Sequence, residues 1–248
     1  MPGDKERIDR LLVQRGLAPS RQRAQTLIMS GAVIVDTRPV DKPGTLVYTD
    51  ADVRLRGSDQ PYVSRGGLKL KAAIDAFNLD VEGMICLDVG ASTGGFTDCL
   101  LQHGAKHVFA VDVGYGQLAW SLRQDDRVTP IERTNIRHMA DDALPTTVDL
   151  VTIDASFISL RIVVPASLKY LKPRGCIVAL IKPQFEVGRG AVGKGGVVRD
   201  PALHESVIRD LTGAFHDFGL IAAPVVPSPI RGPKGNQEFL VYLTRIQS

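Results

Sequence analysis

The sequence predicts a doubly wound, Rossmann-like α/β domain that follows a smaller α+β module. From about Leu68 onward, apolar runs typical of buried strands alternate with helical patterns, which indicates a largely parallel sheet. The first 60 residues instead contain two helical patterns and a few short β-like runs. Residues 61–67 between them are polar and glycine-rich, as linkers often are. We therefore expect domains at 1–60 and 68–248.

The N-terminal block predicts two helices and then short strands. Apolar residues recur at helical spacing between Glu6 and Arg15, and Ser20 is a suitable N-cap for a helix that ends at Met29. The β-like runs that follow are Ala32–Val35, Thr45–Tyr48 and Val53–Leu55. A module of this size is too small to contain an enzyme site of its own.

The second block predicts a sheet whose strands we expect at Met84–Val89, His107–Val111, Val128–Glu132, Asp149–Asp154, Cys176–Lys182, Leu220–Val226 and Glu238–Thr244. A proline-rich connection, Pro224 to Pro233, precedes the last run. We therefore expect a terminal hairpin to join the sheet. In an open α/β sheet the carboxyl ends of the strands form the ligand crevice, so functional residues are expected there.

Composition is that of an ordinary globular protein, with 44% hydrophobic and 23% charged residues and a net charge of +3. No run approaches the 20 or so apolar residues needed to span a bilayer, and the N-terminus is charged from Asp4 onward, so we expect a cytoplasmic protein. Cys86, Cys99 and Cys176 are odd in number and lie in apolar stretches. They predict buried thiols rather than a disulfide or metal site.

A glycine-rich turn follows the first strand of the second block. Ile85–Val89 runs directly into Gly90–Phe96, which reads G-A-S-T-G-G-F, and glycines at such a turn let the backbone approach a ligand closely. Asp88 lies two residues before the first glycine, and Asp112 follows the next strand, where an acidic residue often binds a ribose. The pattern favours a nucleotide-like cofactor over a plain turn with a capping aspartate.

A second glycine-rich stretch, Gly188 to Gly195, reads G-x-x-x-x-G-K-G and falls one residue short of a phosphate-binding P-loop. Gly195 stands where the motif needs a serine or threonine for magnesium, and no clear helix follows. The stretch therefore does not predict ATP binding.

Two lysines and two carboxylates are expected near the glycine turn. Asp154 ends the fourth strand and Lys182 the fifth, while Lys69 begins a helix and Glu238 opens the last strand. Such a set could serve a very weak acid such as a ribose 2′-hydroxyl: one lysine would act as base and the other would stabilise the alkoxide. The carboxylates would orient the two amines. Solvated surface residues are the alternative interpretation.

The D-x-G-x-x-x-G-G pattern is that of S-adenosylmethionine-dependent methyltransferases, and five stretches, one of which contains this pattern, make the resemblance specific. They are Tyr62–Leu70 (Y-V-S-R-G-G-L-K-L), Leu87–Asp98 (L-D-V-G-A-S-T-G-G-F-T-D), Asp154–Leu160 (D-A-S-F-I-S-L), Lys182–Gly188 (K-P-Q-F-E-V-G) and Gly235–Phe239 (G-N-Q-E-F). The chain resembles the TlyA (hemolysin A) family of ribosomal RNA 2′-O-methyltransferases, which are relatives of the FtsJ-like enzymes.

The resemblance implies methyl transfer from S-adenosylmethionine to a cytidine 2′-hydroxyl of ribosomal RNA, with a catalytic tetrad at Lys69, Asp154, Lys182 and Glu238. In such enzymes the glycine loop holds the amino-acid part of the cofactor, Asp112 the ribose, and Glu132 and Asn135 lie near the adenine. Phe157 could stack on adenine or on a flipped base, with a core role equally open. The implied cofactor-binding residues are Asp88, Gly90, Ala91, Ser92, Thr93, Gly94, Gly95, Phe96, Asp112, Glu132, Asn135 and Phe157.

The N-terminal block resembles an S4 RNA-binding domain through R-I-D-R-L-L, G-L-A-P-S-R-Q-R-A and I-M-S-G-A-V-I-V-D. Cations in the first turn of a helix oppose its dipole, so Arg21 and Arg23 there suggest phosphate contacts rather than a solvated surface alone. Other arginines could extend this path toward the site. The predicted RNA-binding residues are Arg7, Arg10, Arg21, Arg23, Arg65, Arg133, Arg137 and Arg189.

Three other functions are weighed against this interpretation. A pseudouridine synthase can carry the same N-terminal module but needs no cofactor loop. A non-catalytic ribosome-associated protein would not need Lys69 or Lys182. A membrane-lysing toxin ranks last, because the sequence offers no transmembrane span, no long amphipathic helix and no secretion signal. The chain also lacks the Asn-Pro-Pro-Tyr type of motif expected in amino-methylating enzymes, and no cysteine ends the fourth or fifth strand, as base C5 methylation would require.

Overall fold

The computed structural model describes residues 5–55, 61–193, 195–232 and 234–246, without the side chain of Arg189. The chain divides into two compact units, the first ending at Pro61 and the second beginning at Tyr62. Residues 56–60, at the end of the predicted first domain, lie outside the described residues.

Between residues 5 and 55, the first unit contains two helices and five short strands, in the order β1 (Lys5–Arg7), α1 (Ile8–Gln14), α2 (Arg21–Met29), β2 (Val33–Val35), β3 (Arg38–Val40), β4 (Leu46–Tyr48) and β5 (Val53–Leu55). Strand β2 lies between β3 and β5 in an antiparallel sheet, and β1 pairs with β4. Ile8, Leu12, Ile28 and Val33 are fully buried between helices and strands. This small α+β core has the class that the sequence predicts.

Local signals in this unit fix some boundaries and miss others. The predicted N-cap is confirmed, since Ser20 Oγ accepts a hydrogen bond of 3.2 Å from the backbone N–H of Arg23. The first helix begins at Ile8, two residues later than the pattern suggested, because β1 occupies the residues before it. Strand β3 was not predicted; it contains Pro39, which an edge strand tolerates because its outer N–H positions need no partner.

The second unit alternates strands and helices. Its elements are α3 (Gly66–Ala76), β6 (Ile85–Val89), α4 (Gly95–Gln102), β7 (His107–Val111), α5 (Trp120–Arg123), β8 (Val128–Ile131), β9 (Val148–Ile153), α6 (Leu160–Ser167), β10 (Leu171–Ile181), α7 (Pro183–Glu186), α8 (Pro201–Asp217), β11 (Leu220–Ala222), β12 (Val226–Pro227) and β13 (Phe239–Arg245). Short 3₁₀ turns cover Ile136–His138, Leu168–Tyr170 and Arg189–Ala191.

These strands form one sheet in the order β11-β13-β10-β9-β6-β7-β8, with β12 also paired to β13. All neighbours from β10 to β8 are parallel, whereas β13 runs antiparallel to β10, β11 and β12. The doubly wound class and the antiparallel terminal hairpin are therefore confirmed. The predicted strand over Leu220–Val226 is two short strands, β11 and β12, that pair with different parts of β13.

Side chains alternate between the two faces along each strand, and both faces of this sheet carry buried apolar residues, so helices cover both. Leu87 and Val89 pack with α6 and α8 in one cluster, whereas Cys86 packs with α3 and α4 in the other. All three cysteines are buried and free.

Of the residues predicted as a linker, 61–67, all but Pro61 belong to the second unit. Tyr62 is buried, and α3 already begins at Gly66. A Cβ atom on Gly67 would lie 2.2 Å from the Tyr62 ring, so the segment folds back on the helix that it precedes. The glycines of this segment are needed for close packing, so a polar and glycine-rich composition did not mark a linker here.

Within the described ranges, no helix combines the length and apolar character needed to cross a membrane. Those same residues contain no group of three or more His, Cys, Asp or Glu side chains placed to hold a metal ion.

Candidate active site

A cavity of about 880 Å³ opens at the carboxyl ends of β6, β9 and β10. The glycine turn after β6, the residues after β9 and the start of α7 line it, together with the beginning of α3 and the segment before β13. Because β13 runs antiparallel to β10, its first residues lie at the same edge of the sheet as the last residues of β10. The parallel arrangement thus brings distant parts of the sequence to one site.

Two of the four predicted catalytic residues form a buried ion pair. Lys69, on α3, places its Nζ atom 2.6 Å from Oε2 of Glu238, which immediately precedes β13. Lys69 is 7% and Glu238 1% exposed. Removing two charges from water costs several kcal/mol per ion, so a pair this buried is poor support for stability alone and draws attention to function.

The other two predicted residues form a second ion pair at the ends of neighbouring parallel strands. Lys182 Nζ lies 2.6 Å from Oδ1 of Asp154, at an angle that does not make a hydrogen bond. Its hydrogen bonds go instead to the Ser156 hydroxyl at 3.0 Å and to the Asp154 carbonyl at 3.3 Å. Ser156 is a contact that the catalytic set from the sequence missed, although it lies two residues after Asp154 in the D-A-S-F stretch.

All four predicted residues therefore line one cavity as two lysine–carboxylate pairs. Each lysine thus faces one carboxylate, so the residue types in the cluster can balance one another's charge. The glycine turn lines the same cavity, as the strand-end argument predicted.

The glycine turn owes its sequence to close backbone contacts. Gly90 has φ +85° and a Cβ there would lie 2.9 Å from the Asp154 carbonyl oxygen, so the turn lies directly against the segment that carries Asp154. A Cβ on Gly95 would lie 2.2 Å from Ser64 Oγ, where the segment before α3 packs on α4. Of the predicted loop residues, the following line the cavity: Gly90, Ala91, Ser92, Thr93, Gly95 and Phe96.

Gly94 and Asp88 support the loop from behind. Gly94 is the N-cap of α4 with φ +98°, and a Cβ there would meet Leu118 and Leu122 rather than the cavity. Asp88 is fully buried and accepts hydrogen bonds from Thr97 Oγ1 at 2.7 Å and Thr152 Oγ1 at 3.0 Å. Burial raises the pKa of Asp88 to about 7, against the effect of the two hydroxyls.

The prediction that Asp88 contacts the cofactor is therefore not supported. Side chains alternate along β6, and this one points into the protein, where it links α4 to β9. Its role in the structure is to hold the start of the glycine turn.

Asp112, the residue predicted to hold the cofactor ribose, lies beside the glycine turn but is not among the residues that line the cavity. One carboxylate oxygen accepts from the backbone N–H of Ser92 at 2.8 Å and the other from Gly114 N–H at 2.7 Å. The carboxylate thus fixes the glycine turn to the loop after β7, next to the residues that line the cavity.

Glu132 and Asn135 make contacts within the protein. Glu132 accepts from Gly116 N–H at 2.8 Å and pairs with Arg123, and Asn135 Oδ1 caps the 3₁₀ turn by accepting from Arg137 N–H at 3.1 Å. Neither lines the cavity, so their predicted position near the adenine is not supported by this arrangement.

Phe157 is 89% exposed at the rim of the cavity, which argues against the core role that the sequence left open. Its φ of +64° is an uncommon conformation for an aromatic residue, of the kind that concentrates at functional sites. Its ring centroid lies 4.9 Å from that of Phe185, and the two rings form an apolar wall.

Glu186 joins the two strand-end segments that carry Asp154 and Lys182. Its carboxylate accepts from Ser159 Oγ at 2.6 Å and from the Leu160 backbone N–H at 2.8 Å. Burial raises the pKa of this carboxyl, partly offset by those two hydrogen bonds. The contact holds the D-A-S-F-I-S-L and K-P-Q-F-E stretches together, and no pattern in the sequence indicated it.

In the first unit, two of the predicted RNA-binding arginines form ion pairs with one buried carboxylate. Asp9 is fully buried and lies 3.0 Å from Arg7 and 2.9 Å from Arg21, with a further hydrogen bond from Gln25. The Arg7 contact in particular holds the pKa of Asp9 well below its usual range. Both guanidinium groups remain partly exposed, so they can still face an anion, with part of their charge already balanced.

The remaining predicted arginines differ in what surrounds them. Arg10 lies 3.9 Å from Glu6, and Arg23 is exposed in the first turn of α2. Arg65 lines the cavity and Arg137 is exposed, while Arg133 lies 4.2 Å above the Tyr115 ring.

Two predicted features are not covered by these contacts. The side chain of Arg189 lies outside the described residues, and so does Lys194 of the broken P-loop pattern.

Comparisons with known proteins agree with this geometry. Residues 62–245 match the FtsJ-like methyltransferase family, and residues 6–53 match the S4 domain. A 16S/23S rRNA (cytidine-2′-O)-methyltransferase of Mycobacterium tuberculosis, TlyA, is 49% identical over 240 residues, which cover 96% of this chain and 90% of that protein. YqxC of Bacillus subtilis, provisionally named an rRNA methyltransferase, is 48% identical over 244 residues, covering 98% and 87%.

A solved structure from Streptococcus thermophilus, of a protein provisionally named a hemolysin, is also similar. It has a TM-score of 0.76 at 46% identity and covers 98% of this chain and 90% of that one.

Fold, cavity and matches together define a methyltransferase that carries an S4 RNA-binding domain. The chain belongs to the FtsJ-like methyltransferase family. The resemblance to TlyA proteins expected from the sequence is confirmed.

Proposed function

We propose that this protein transfers a methyl group from S-adenosylmethionine to the 2′-hydroxyl of a cytidine in ribosomal RNA. The observation that carries the proposal is the pair of lysine–carboxylate contacts that line one cavity together with the glycine turn. Membership in the FtsJ-like family agrees with the transfer chemistry, and the name of the 49% identical relative suggests both the base and the RNA.

The residues around the cavity fit the cofactor. A volume of about 880 Å³ is in the range of small-molecule sites. The glycines of the turn let its backbone pack directly on the segments that carry Asp154 and Ser64, and Asp112 braces the turn through Ser92. We assign Gly90–Phe96 to the amino-acid part of the cofactor and Asp112 to its ribose, with Phe157 at the open rim. When bound, the cofactor supplies a methyl group on a cationic sulfonium.

The protein's own residues then handle the proton. A ribose hydroxyl must lose its proton as it attacks. One of the two lysines, as its neutral amine, takes that proton up, while the other stays protonated beside the reacting oxygen. Ser156 and the Asp154 carbonyl aim the Lys182 amine, while Glu238 aims that of Lys69. The positive charges beside the hydroxyl stabilise the developing alkoxide, and the buried setting strengthens this effect.

The S4 domain and the arginines would bind the RNA. Phosphate contacts position a nucleic acid without reading its sequence, and exposed cations such as Arg10, Arg23 and Arg137 suit that task. We propose ribosomal RNA, free or in a ribosomal subunit, as the partner and the cytoplasm as the place of action. A non-catalytic RNA-binding protein remains an outcome of the test below.

The test is transfer of label from methyl-labelled S-adenosylmethionine to separated ribosomal subunits that lack the modification. The wild type is compared with Lys69→Ala and with Lys71→Ala, a control on the same helix whose exposed amine pairs with Asp75. We expect label in the RNA with the wild type and the control, and none with Lys69→Ala. Cofactor binding without any transfer by the wild type would instead support a binding protein.

A further inference from the structure

The turn that leads into Glu238 contains a glycine whose lack of a side chain is used by the active site. Gly232 is buried, and its backbone N–H donates to the carbonyl of Asn236 at 2.9 Å while its own carbonyl accepts from Gly235 N–H at 2.8 Å. The backbone of Glu238 is held from the other side, where its carbonyl accepts from Ser228 N–H at 2.8 Å. Gly232 and the Glu238 side chain therefore meet across a closed turn.

The contact between them leaves no room for a side chain. A Cβ atom on Gly232 would lie 2.4 Å from Oε1 of Glu238 and 3.1 Å from its Cδ. Carbon atoms in favourable contact are about 3.5–4.0 Å from their neighbours, so the carboxylate would have to move. Glu238 is 1% exposed and its other oxygen holds Lys69, so any such movement displaces the ion pair itself.

Two glycines of the same turn serve different purposes. Gly235 has φ +89°, a conformation that favours glycine, and nothing lies within 4 Å of its Cβ position. Gly232 is not among the residues with positive φ, so an alanine there meets the required backbone conformation without strain. Gly232 is needed because a side chain would collide with Glu238, whereas Gly235 is needed because of its backbone conformation.

We infer that Gly232 is a positioning residue for methyl transfer. The space left by its missing side chain is where the Glu238 carboxylate sits, and that placement presents Oε2 to Lys69. The inference rests on the proposed function, because it assigns the Lys69–Glu238 pair a part in the reaction.

The test measures single-turnover methyl transfer to RNA by Gly232→Ala. Gly213→Ala is the matched control, since Gly213 lies on α8 and nothing lies within 4 Å of its Cβ position. We expect the control to transfer at the wild-type rate. We expect Gly232→Ala to fold and to bind S-adenosylmethionine like the wild type, but to transfer methyl about 10- to 100-fold more slowly, as for a small misplacement of a reacting group.

Rescue separates positioning from a general defect. Glu238→Asp shortens the side chain by one methylene and withdraws the carboxylate from position 232. The variant carrying both Gly232→Ala and Glu238→Asp should therefore transfer methyl faster than Gly232→Ala alone, although Glu238→Asp by itself slows the reaction.

Three results would overturn the inference. Gly232→Ala could transfer as fast as Gly213→Ala, the two losses could multiply in the double variant, or Gly232→Ala could fail to fold in a way that Glu238→Asp does not restore. A wild type that transfers no methyl to RNA would refute the proposed function itself, and this assignment with it.

Discussion

The Lys69–Glu238 pair should be energetically coupled far more strongly than an exposed pair of the same length. Both Lys69–Glu238 and Lys71–Asp75 have a nitrogen–oxygen distance of 2.6 Å, and both lysines lie on α3. Side-chain exposure is 9% and 1% in the first pair but 42% and 60% in the second. Distance is thus held constant while burial changes.

The expected magnitudes follow from that burial. Removing one partner of a buried pair leaves an uncompensated charge and costs about 3–5 kcal/mol, whereas exposed pairs contribute at most about 1 kcal/mol. Because the Lys69 amine also faces the cavity, we expect Glu238→Ala to cost about 3 kcal/mol of unfolding free energy, at the lower end of that range. Removing both partners should cost less than the sum of the single changes.

The assay is a double-mutant cycle in urea for each pair, with both residues changed to alanine singly and together. The fluorescence of Trp120, the only tryptophan of the sequence, follows the second unit. We expect a coupling energy of about 2 kcal/mol for Lys69–Glu238 and about 0.5 kcal/mol or less for Lys71–Asp75. Equal coupling in the two cycles would refute the view that Glu238 holds a desolvated ammonium.

Three further predictions concern the support of the loop, the rim and the RNA face. Because burial raises the pKa of Asp88 to about 7, the folded state favours the protonated form of this carboxyl. The unfolding free energy of the wild type should therefore fall relative to that of Asp88→Asn as pH rises from about 4 to 7. Parallel pH profiles of the two proteins would contradict this. Phe157→Ala should change the unfolding free energy by no more than about 0.5 kcal/mol, because the ring is exposed. It should nevertheless raise the KM for RNA or for the cofactor about tenfold, because a stacking contact is lost. An unchanged KM for both would show that the ring binds neither. Arg23→Ala should weaken RNA binding for all sequences alike, and it should lower the slope of log affinity against log salt concentration by about 1. The control Gln22→Ala should leave that slope unchanged. The same slope in both variants would show that Arg23 does not contact phosphate.

The strand-end residues could be predicted from the sequence because the topology dictates where they go. Asp154 and Lys182 follow neighbouring parallel strands, and such strands end at one edge of the sheet. Glu238 reaches the same edge because the terminal hairpin is antiparallel, which the proline-rich connection indicated. Apolar periodicity was enough to place these strands.

Side-chain direction limited the prediction of the loop. The interpretation of Asp88 as a cofactor contact followed its position in the D-x-G pattern, but the alternation of β6 turns its carboxylate toward Thr97 and Thr152. A motif gives the order of residues along the chain, and it does not say which side of a strand a given carboxylate faces.

Contacts made by irregular segments were not predictable at all. Glu186 lies on a four-residue helix and accepts a hydrogen bond from Ser159, and Gly232 contacts Glu238 within a turn. No periodic pattern specifies the conformation of such segments, because their backbone hydrogen bonds depend on what packs around them.

The most direct test of the account is nucleoside analysis of RNA methylated by the wild type, by Lys182→Ala and by Lys172→Ala. Lys172 also lies on β10, where its amine pairs with Asp149 at the opposite end of the strand from the cavity, and it is the matched control. The account predicts 2′-O-methylcytidine from the wild type and from Lys172→Ala, and none from Lys182→Ala. A methyl group on a base, or full transfer by Lys182→Ala, would contradict it.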